Sequence, residues 1–263
     1  MTVATNPLSY NAYITQMGVL VPVPVTQSSS GINGFSDVNL TAAIPQMLNY
    51  AELRIQRDLN LLASVTSNTY TLTAGQQVFS LPVDDFVTVQ TLEIVQTSAG
   101  TAVTSVPLLP ASKEFIQNCY SGLAIANQPQ YFAMYGDNFG DSEDSYTNIL
   151  LGPTPNYTYT LRVTGTSRSP SLYQYSATES AANSTYTYIS AYFPDLLVTA
   201  SMIYISMYQR NFSSTSDSPE MGATYEKQYQ AQRLGAIGEE DRRKQAGSAW
   251  SAYATPASAT ATR

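Results

Sequence analysis

The sequence predicts an α+β fold, in which helices from the N- and C-terminal parts form one discontinuous helical domain around an inserted antiparallel β-domain. Three observations carry this expectation. Apolar residues recur at mostly three- and four-residue steps from Ile44 to Leu59, and a second helical stretch runs through Phe193 to Tyr208. Between them, from Asn68 to about Thr187, the pattern changes to the period of two that marks strands. The two helical stretches, "AIPQMLNYAELRIQRDL" and "YFPDLLVTASMIYISMY", also share an opening. Each has a large apolar residue, Pro, a polar residue, two apolar residues with Leu second, and Ala three residues after that Leu. Helices with matching apolar faces at the two ends of a β-rich stretch can close together in one layer.

In chain order, residues 1–36 carry Pro7, Pro22, Pro24 and "TQSSSGINGFS", and read as an extended arm with a short helix near "SYNAYITQM". The helical domain is expected over 37–66 and 186–245. Its first helix has Asp37 or Asn39 as a cap and Pro45 in or near the first turn, where a missing N–H costs little. Ile44, Met47, Leu48, Ala51, Ile55 and Leu59 form its apolar stripe, and Glu52, Arg54, Gln56, Arg57 and Asp58 occupy much of the rest.

The inserted β-domain is expected over 67–185. "TYTLTAGQQVFSLPVDD" reads as a hairpin around Ala74–Gly75. "FVTVQTLEIVQT" is a long strand turned at "SAG" before "TAVTSVPLLP". "PASKEFIQNCYSG" reads as a short helix with Ser112 as cap and Gly122 as stop. "PQYFAMYGD" and "NILLGPTP" are strands flanking an acidic loop, and "YTYTLRVTGTSRSP" adds another. A small sandwich or half-open barrel fits this set.

"SATESAANSTY" reads as a polar linker. The next helix, Ser190 to about Asn211, has Phe193, Leu196, Leu197, Ala200, Ile203, Tyr204 and Met207 along one side, with Met202, Ile205 and Tyr208 on others. A helix apolar nearly all round needs several neighbours to bury it. Phe193, Leu197, Met202, Ile205 and Tyr208 are therefore candidates for packing between subunits. The last helix opens at Ser218–Pro219–Glu220 and runs to about Gln245, with Tyr225 and Tyr229 one turn apart, Gly235 and Gly238 weakening its middle, and Arg242, Arg243 and Lys244 at its end. Residues 246–263 form a low-complexity, flexible tail.

Composition narrows the functions open to such a chain. Charged residues make up 12%, about half the usual share, while Tyr occurs 20 times. A polar, weakly charged surface suits faces covered by other chains, and it suits extracellular β-proteins equally. The net charge is −7, and the only dense basic cluster, Arg242 to Lys244, follows Glu239, Glu240 and Asp241, so binding of nucleic acid through phosphates is not expected. With no His and one Cys, the chain lacks His-based triads, a disulfide framework and the usual zinc ligands. Cys119 reads as a small buried thiol. At the N-terminus, "GVLVPVPV" has no basic residue before it and is broken by two prolines, so it is neither a secretory signal nor a membrane span. Synthesis and assembly in the cytoplasm are expected.

The acidic loop "GDNFGDSEDS" carries Asp137, Asn138, Phe139, Asp141, Glu143 and Asp144. It departs from a calcium loop, with Gly in the fourth place from Asp137 and no closing Glu, and reads as a solvated turn. Asp84 and Asp85 are adjacent and point to opposite faces of a strand, a poor arrangement for a glycosidase pair. With no phosphate loop and no nucleophile elbow, neither enzymatic activity nor a cofactor is expected. Trp250 and Tyr253, in the tail, are residue types that anchor interfaces.

The order of "IPQMLNYAELRIQRDL", "YTLTAGQQVFSLPVDDF", "QPQYFAMYGDN", "ILLGPTPNYTYTLRVTG" and "YFPDLLVTASMIYISMYQRN", followed by a charged, Tyr-containing helix, resembles head-to-tail adaptors of short-tailed bacteriophages. These are also called connector or gatekeeper proteins, of the tail tubular protein A type, and the likeness covers roughly Asp37 to Gln245. It implies a homo-oligomeric ring, usually of twelve copies, at the capsid–tail junction of the virion. Such a ring docks beneath the portal protein, receives the tail nozzle protein, and passes double-stranded DNA through its lumen without binding it specifically. By segment, Tyr225, Tyr229, Arg242, Arg243, Lys244, Trp250 and Tyr253 would engage the portal. Asp137 to Asp144 would face the nozzle or a neighbouring subunit. The alternatives are another tail component, nozzle- or fibre-like, and a polysaccharide hydrolase.

Overall fold

The computed structural model describes residues 7–21, 23–26, 32–83, 85–98, 101–120, 126–138, 146–178, 185–209 and 219–246. The chain divides into two compact units, Met1–Leu62 with Ser169–Arg263, and Ala63–Arg168. The first unit therefore takes in more chain than the sequence reading assigned to the helical domain, on both sides of the β-rich segment.

The first unit begins with helix α1 (Tyr10–Leu20), capped by the Ser9 hydroxyl, which accepts the Ala12 N–H at 3.3 Å. The short helix expected near "SYNAYITQM" is thus present, and it belongs to the core instead of an extended arm. Tyr10, Tyr13, Ile14 and Met17 are buried in the main helical core, and their i, i+3, i+4, i+7 spacing is the cause. Two short strands, β1 (Val25–Thr26) and β2 (Gly34–Phe35), pair antiparallel and lead into α2 (Val38–Asp58). Asp37 caps α2, its carboxylate accepting the N–H groups of Asn39 at 2.9 Å and Leu40 at 3.4 Å.

Pro45 consequently lies inside α2 and not in its first turn. The buried stripe starts at Leu40 and continues through Ile44, Leu48, Ala51 and Ile55, so packing carries the helix through a residue that gives up one backbone bond.

Among the described residues, the second unit has eight strands and an α-helix: β3 (Val65–Leu72), β4 (Val78–Pro82), β5 (Thr88–Ser98), β6 (Thr101–Pro107), β7 (Leu109–Pro110), α3 (Lys113–Cys119), β8 (Tyr131–Asn138), β9 (Tyr146–Gly152) and β10 (Tyr159–Thr166). They form two four-stranded sheets, ordered β3-β10-β5-β6 and β4-β9-β8-β7. All pairs are antiparallel except β7 with β8. Alternate residues of both sheets, among them Phe79 and Leu81, Leu92 and Ile94, Ile149 and Leu151, Leu161 and Val163, meet in one core cluster. This is two sheets sharing a core, not a barrel.

The expected hairpin around Gly75 is absent. β3 pairs with β10 and β4 pairs with β9, so the chain changes sheet there through a loop that Gly75 serves with φ 81°. Both strands alternate correctly, but alternation says which residues face the core and not which strand lies alongside.

The first unit then resumes with α4 (Leu172–Thr178), α5 (Tyr188–Tyr192), α6 (Pro194–Gln209) and α7 (Pro219–Ala246). The segment read as a polar linker begins with the last turn of α4. The helix expected from Ser190 is two helices. Thr187 and Ser190 form a reciprocal cap on α5, Phe193 leaves helical geometry, and Pro194 opens α6. A residue before proline avoids the helical region, which explains the break. The two similar stretches of sequence thus begin differently: Pro194 stands at a helix start and Pro45 within one. α7 runs unbroken through Gly235 and Gly238. The Ser218 cap lies outside the described residues. α6 packs against both α2 and α7, and all three contribute to one core with α1, α4 and α5.

Candidate functional site

The long C-terminal helix α7 is bound to the rest of its unit by a polar seam that grows from the polar side of α2. Arg54 donates to Glu226 at 2.6 Å and lies 4.3 Å over the ring of Tyr229. Each partner stabilises the other's charge, raising the pKa of Arg54 and lowering that of Glu226. The Tyr229 hydroxyl donates to Asp58 at 2.8 Å, and burial, with that carboxylate beside it, raises the Tyr229 pKa.

Further along α7, the buried Glu240 carboxylate accepts the Leu62 N–H at 3.1 Å and the Tyr188 hydroxyl at 2.5 Å. Arg243 bonds the same Tyr188 hydroxyl and stands 3.5 Å from Glu240. These contacts separate the residues that the resemblance assigned to the portal. Tyr229 is fully buried and faces its own chain, so it presents no surface to a partner. Tyr225 is half-buried against the core. Arg243 is engaged within the chain, Lys244 is half-buried, and Arg242 is exposed with its Nε donating to the Gly238 carbonyl at 3.0 Å. Trp250 and Tyr253 lie outside the described residues.

The candidates for packing between subunits are corrected similarly. Phe193 is 4% exposed, Leu197 0%, Met202 1% and Ile205 0%. They are covered by α2, α7 and the other helices of their own unit, because the helix that is apolar all round has enough neighbours in one chain. The Tyr208 side chain lies outside the described residues. Among the described residues of α5 and α6, Tyr192 and Met207 point outward.

Glu52, outside the apolar stripe read for α2, is 2% exposed. Its carboxyl receives the Leu172 N–H at 3.0 and 3.2 Å and the Thr187 hydroxyl at 3.4 Å, joining α2 to the starts of α4 and α5. Burial drives its pKa up to about 8, against the opposing pull of those two donors. The buried hydroxyl of Tyr13 adds to this core, and burial raises its pKa as well.

In the β-rich unit, α3 covers part of the outer face of β8 and β9 through Ile116, which packs with Ala133 and Leu150. Around it lies an aromatic group: Phe115 meets Tyr131 edge-on at 5.5 Å and Tyr120 at 6.2 Å, while Tyr120 stacks on Tyr131. Lys113 sits 4.7 Å over the Tyr135 ring. Phe115, Met134 and Tyr135 are exposed, which makes this an aromatic surface of the unit. Cys119 is exposed, contrary to the sequence reading, because Ile116 and Tyr120 take the inward positions of the short helix. Ser112 does cap α3, accepting the Phe115 N–H at 3.2 Å, whereas Gly122 lies outside the described residues.

Of the acidic segment, Asp137 and Asn138 end β8, opposite Thr147 and Tyr146 of β9. Phe139, Asp141, Glu143 and Asp144 lie outside the described residues. Sequence reading passed over the group around Phe115; its signal was five aromatics and a Lys within "KEFIQNCY" and "QYFAMY", on elements that only the fold brings together. Among the described residues, no helix is long and apolar enough to cross a membrane.

A family model described as SU10 adaptor protein matches residues 25–257, most of the chain, from β1 through α7. No curated protein matches the chain.

Proposed function

The chain belongs to the SU10 adaptor protein family, a bacteriophage adaptor family, and on that premise we propose that it is a structural protein of the virion that joins the portal to the tail. In this reading identical copies, twelve by the resemblance, form a ring at the capsid–tail junction. The ring is assembled in the host cytoplasm and carries out no catalysis. Its lumen passes double-stranded DNA without specific contacts, in keeping with a net charge of −7 that repels phosphate.

The observation that carries this reading is the family match over nearly the whole described fold. Two further features support it. A surface with few charges offers little repulsion between neighbouring copies. The exposed Phe115, Met134 and Tyr135 are of the kinds enriched at protein interfaces.

The test is to mix the purified chain with its portal protein and to measure mass and image the product by negative stain. A ring seated on the portal is expected. A stable monomer that ignores the portal would end the assignment.

A further inference from the structure

The sheet β3-β10-β5-β6 leaves two long strands at its edges, eight residues in β3 and seven in β6. Among the described residues, no strand pairs with the outer side of either. Proteins protect such edges by keeping them short or by placing charges, prolines or bulges along them, since a row of free N–H and C=O groups templates pairing with another chain. Neither Val65–Leu72 nor Thr101–Pro107 contains a charged residue. β3 has no proline and pairs with β10 in unbroken register, whereas β6 has proline only at its last position and one register shift against β5, between Gln96 and Ser98, near its start.

The other sheet of the same unit is built differently. Its edges are β4, five residues ending in Pro82, and β7, two residues ending in Pro110. Apart from that shift near the start of β6, the protection applied to one sheet is left off the other, which marks β3 and the rest of β6 as edges in use.

The strand directions indicate what uses them. Each step from β3 through β10 and β5 to β6 is antiparallel, so β3 and β6 run in opposite directions. If β6 of one copy lies beside β3 of an identically oriented second copy, the new pair is antiparallel. The outer β3 and β6 then remain free to repeat the contact, the head-to-tail arrangement that generates rings. The exposed Ser67, Thr69 and Thr71 of β3 and Ser105 of β6 share the sheet face that carries Arg162 and Glu93, so the joined sheets would present one continuous polar face.

We propose that neighbouring copies of this chain join by adding β6 of one subunit to β3 of the next. This rests on the ring reading above and specifies its contact.

The test uses the full chain carrying Cys119→Ser, which removes the native exposed thiol. Ser105→Cys is combined in turn with Ser67→Cys, Thr69→Cys or Thr71→Cys, and the assembled protein is oxidised. One combination should yield a ladder of covalent dimers, trimers and larger species, while each single variant stays monomeric on a non-reducing gel. Thr71→Lys, which guards the edge on its exposed face, should abolish assembly while circular dichroism and the melting temperature stay unchanged. A dimer from a single β3 cysteine would show a two-fold contact and overturn the proposal. So would an intact ring, by mass, that gives no ladder with any combination or that tolerates Thr71→Lys; the ring itself would then stand on another contact. Absence of a ring under all conditions, with the portal present, would remove the ring reading and this inference together.

Discussion

Glu52 is a carboxyl group held where water does not reach, with the Leu172 N–H and the Thr187 hydroxyl as its hydrogen-bond partners among the described residues. Its pKa of about 8, raised from 4.5 chiefly by burial, means that the folded chain keeps a proton that the unfolded chain releases. Between those two values the folded state binds more protons, so stability falls as pH rises from about 4.5 to about 8 and levels off above. The loss is on the order of a few kcal/mol. Glu52→Gln keeps an oxygen for Leu172 and cannot ionise. Urea midpoints of the wild type should decline from pH 5 to pH 8, and those of Glu52→Gln should stay nearly flat across that range. Parallel declines would show that another group titrates. Cys119 teaches the complementary lesson: a residue type that is usually buried is exposed when its two-turn helix has only Ile116 and Tyr120 to turn inward.

At the level of elements, β10 shows how one residue sets a register. Its pairing with β5 shifts between Thr164 and Gly165. A Cβ built on Gly165 would lie 2.2 Å from the Thr88 carbonyl oxygen and 2.9 Å from the Phe86 ring. Neither a backbone carbonyl nor a buried ring can move aside without disturbing the sheet. Gly165→Ala should therefore destabilise the protein by about 1–3 kcal/mol, read as a lowered denaturation midpoint. A variant as stable as the wild type would mean that β10 and β5 are not paired as described. The same strands show why the hairpin around Gly75 was misread. Phe79 and Leu81 of β4 and Leu72 of β3 alternate toward a shared core, yet they approach it from opposite sheets. In α2, likewise, Arg54 and Asp58 occupy the polar side because α7 brings Glu226 and Tyr229 to meet them. A polar helix face signals solvent only when no other helix supplies partners.

For the whole molecule, Tyr229 and Arg243 of α7 are committed within the chain, so in the proposed reading contact with the portal would fall first to Arg242, Trp250 and Tyr253. Removing residues 247–263 should leave the melting temperature unchanged and weaken binding to the portal, measured by co-sedimentation. Equal binding by the shortened and full chains would end the anchor role. The sequence by itself determined the change of period from helix to strand and back, the strand and helix positions of most elements, the cap at Ser112 and one at Asp37 or Asn39, and the resemblance that the family match supports. These are legible because periodicity and capping act between residues a few positions apart. Only the tertiary structure decided that Glu52 is buried, that Tyr229 and Phe193 are sealed within their own chain, that α1 belongs to the core, and that β3 and β4 lie in different sheets. Each of these depends on which distant segment arrives alongside, and burial and pairing are properties of that encounter, which no local pattern records.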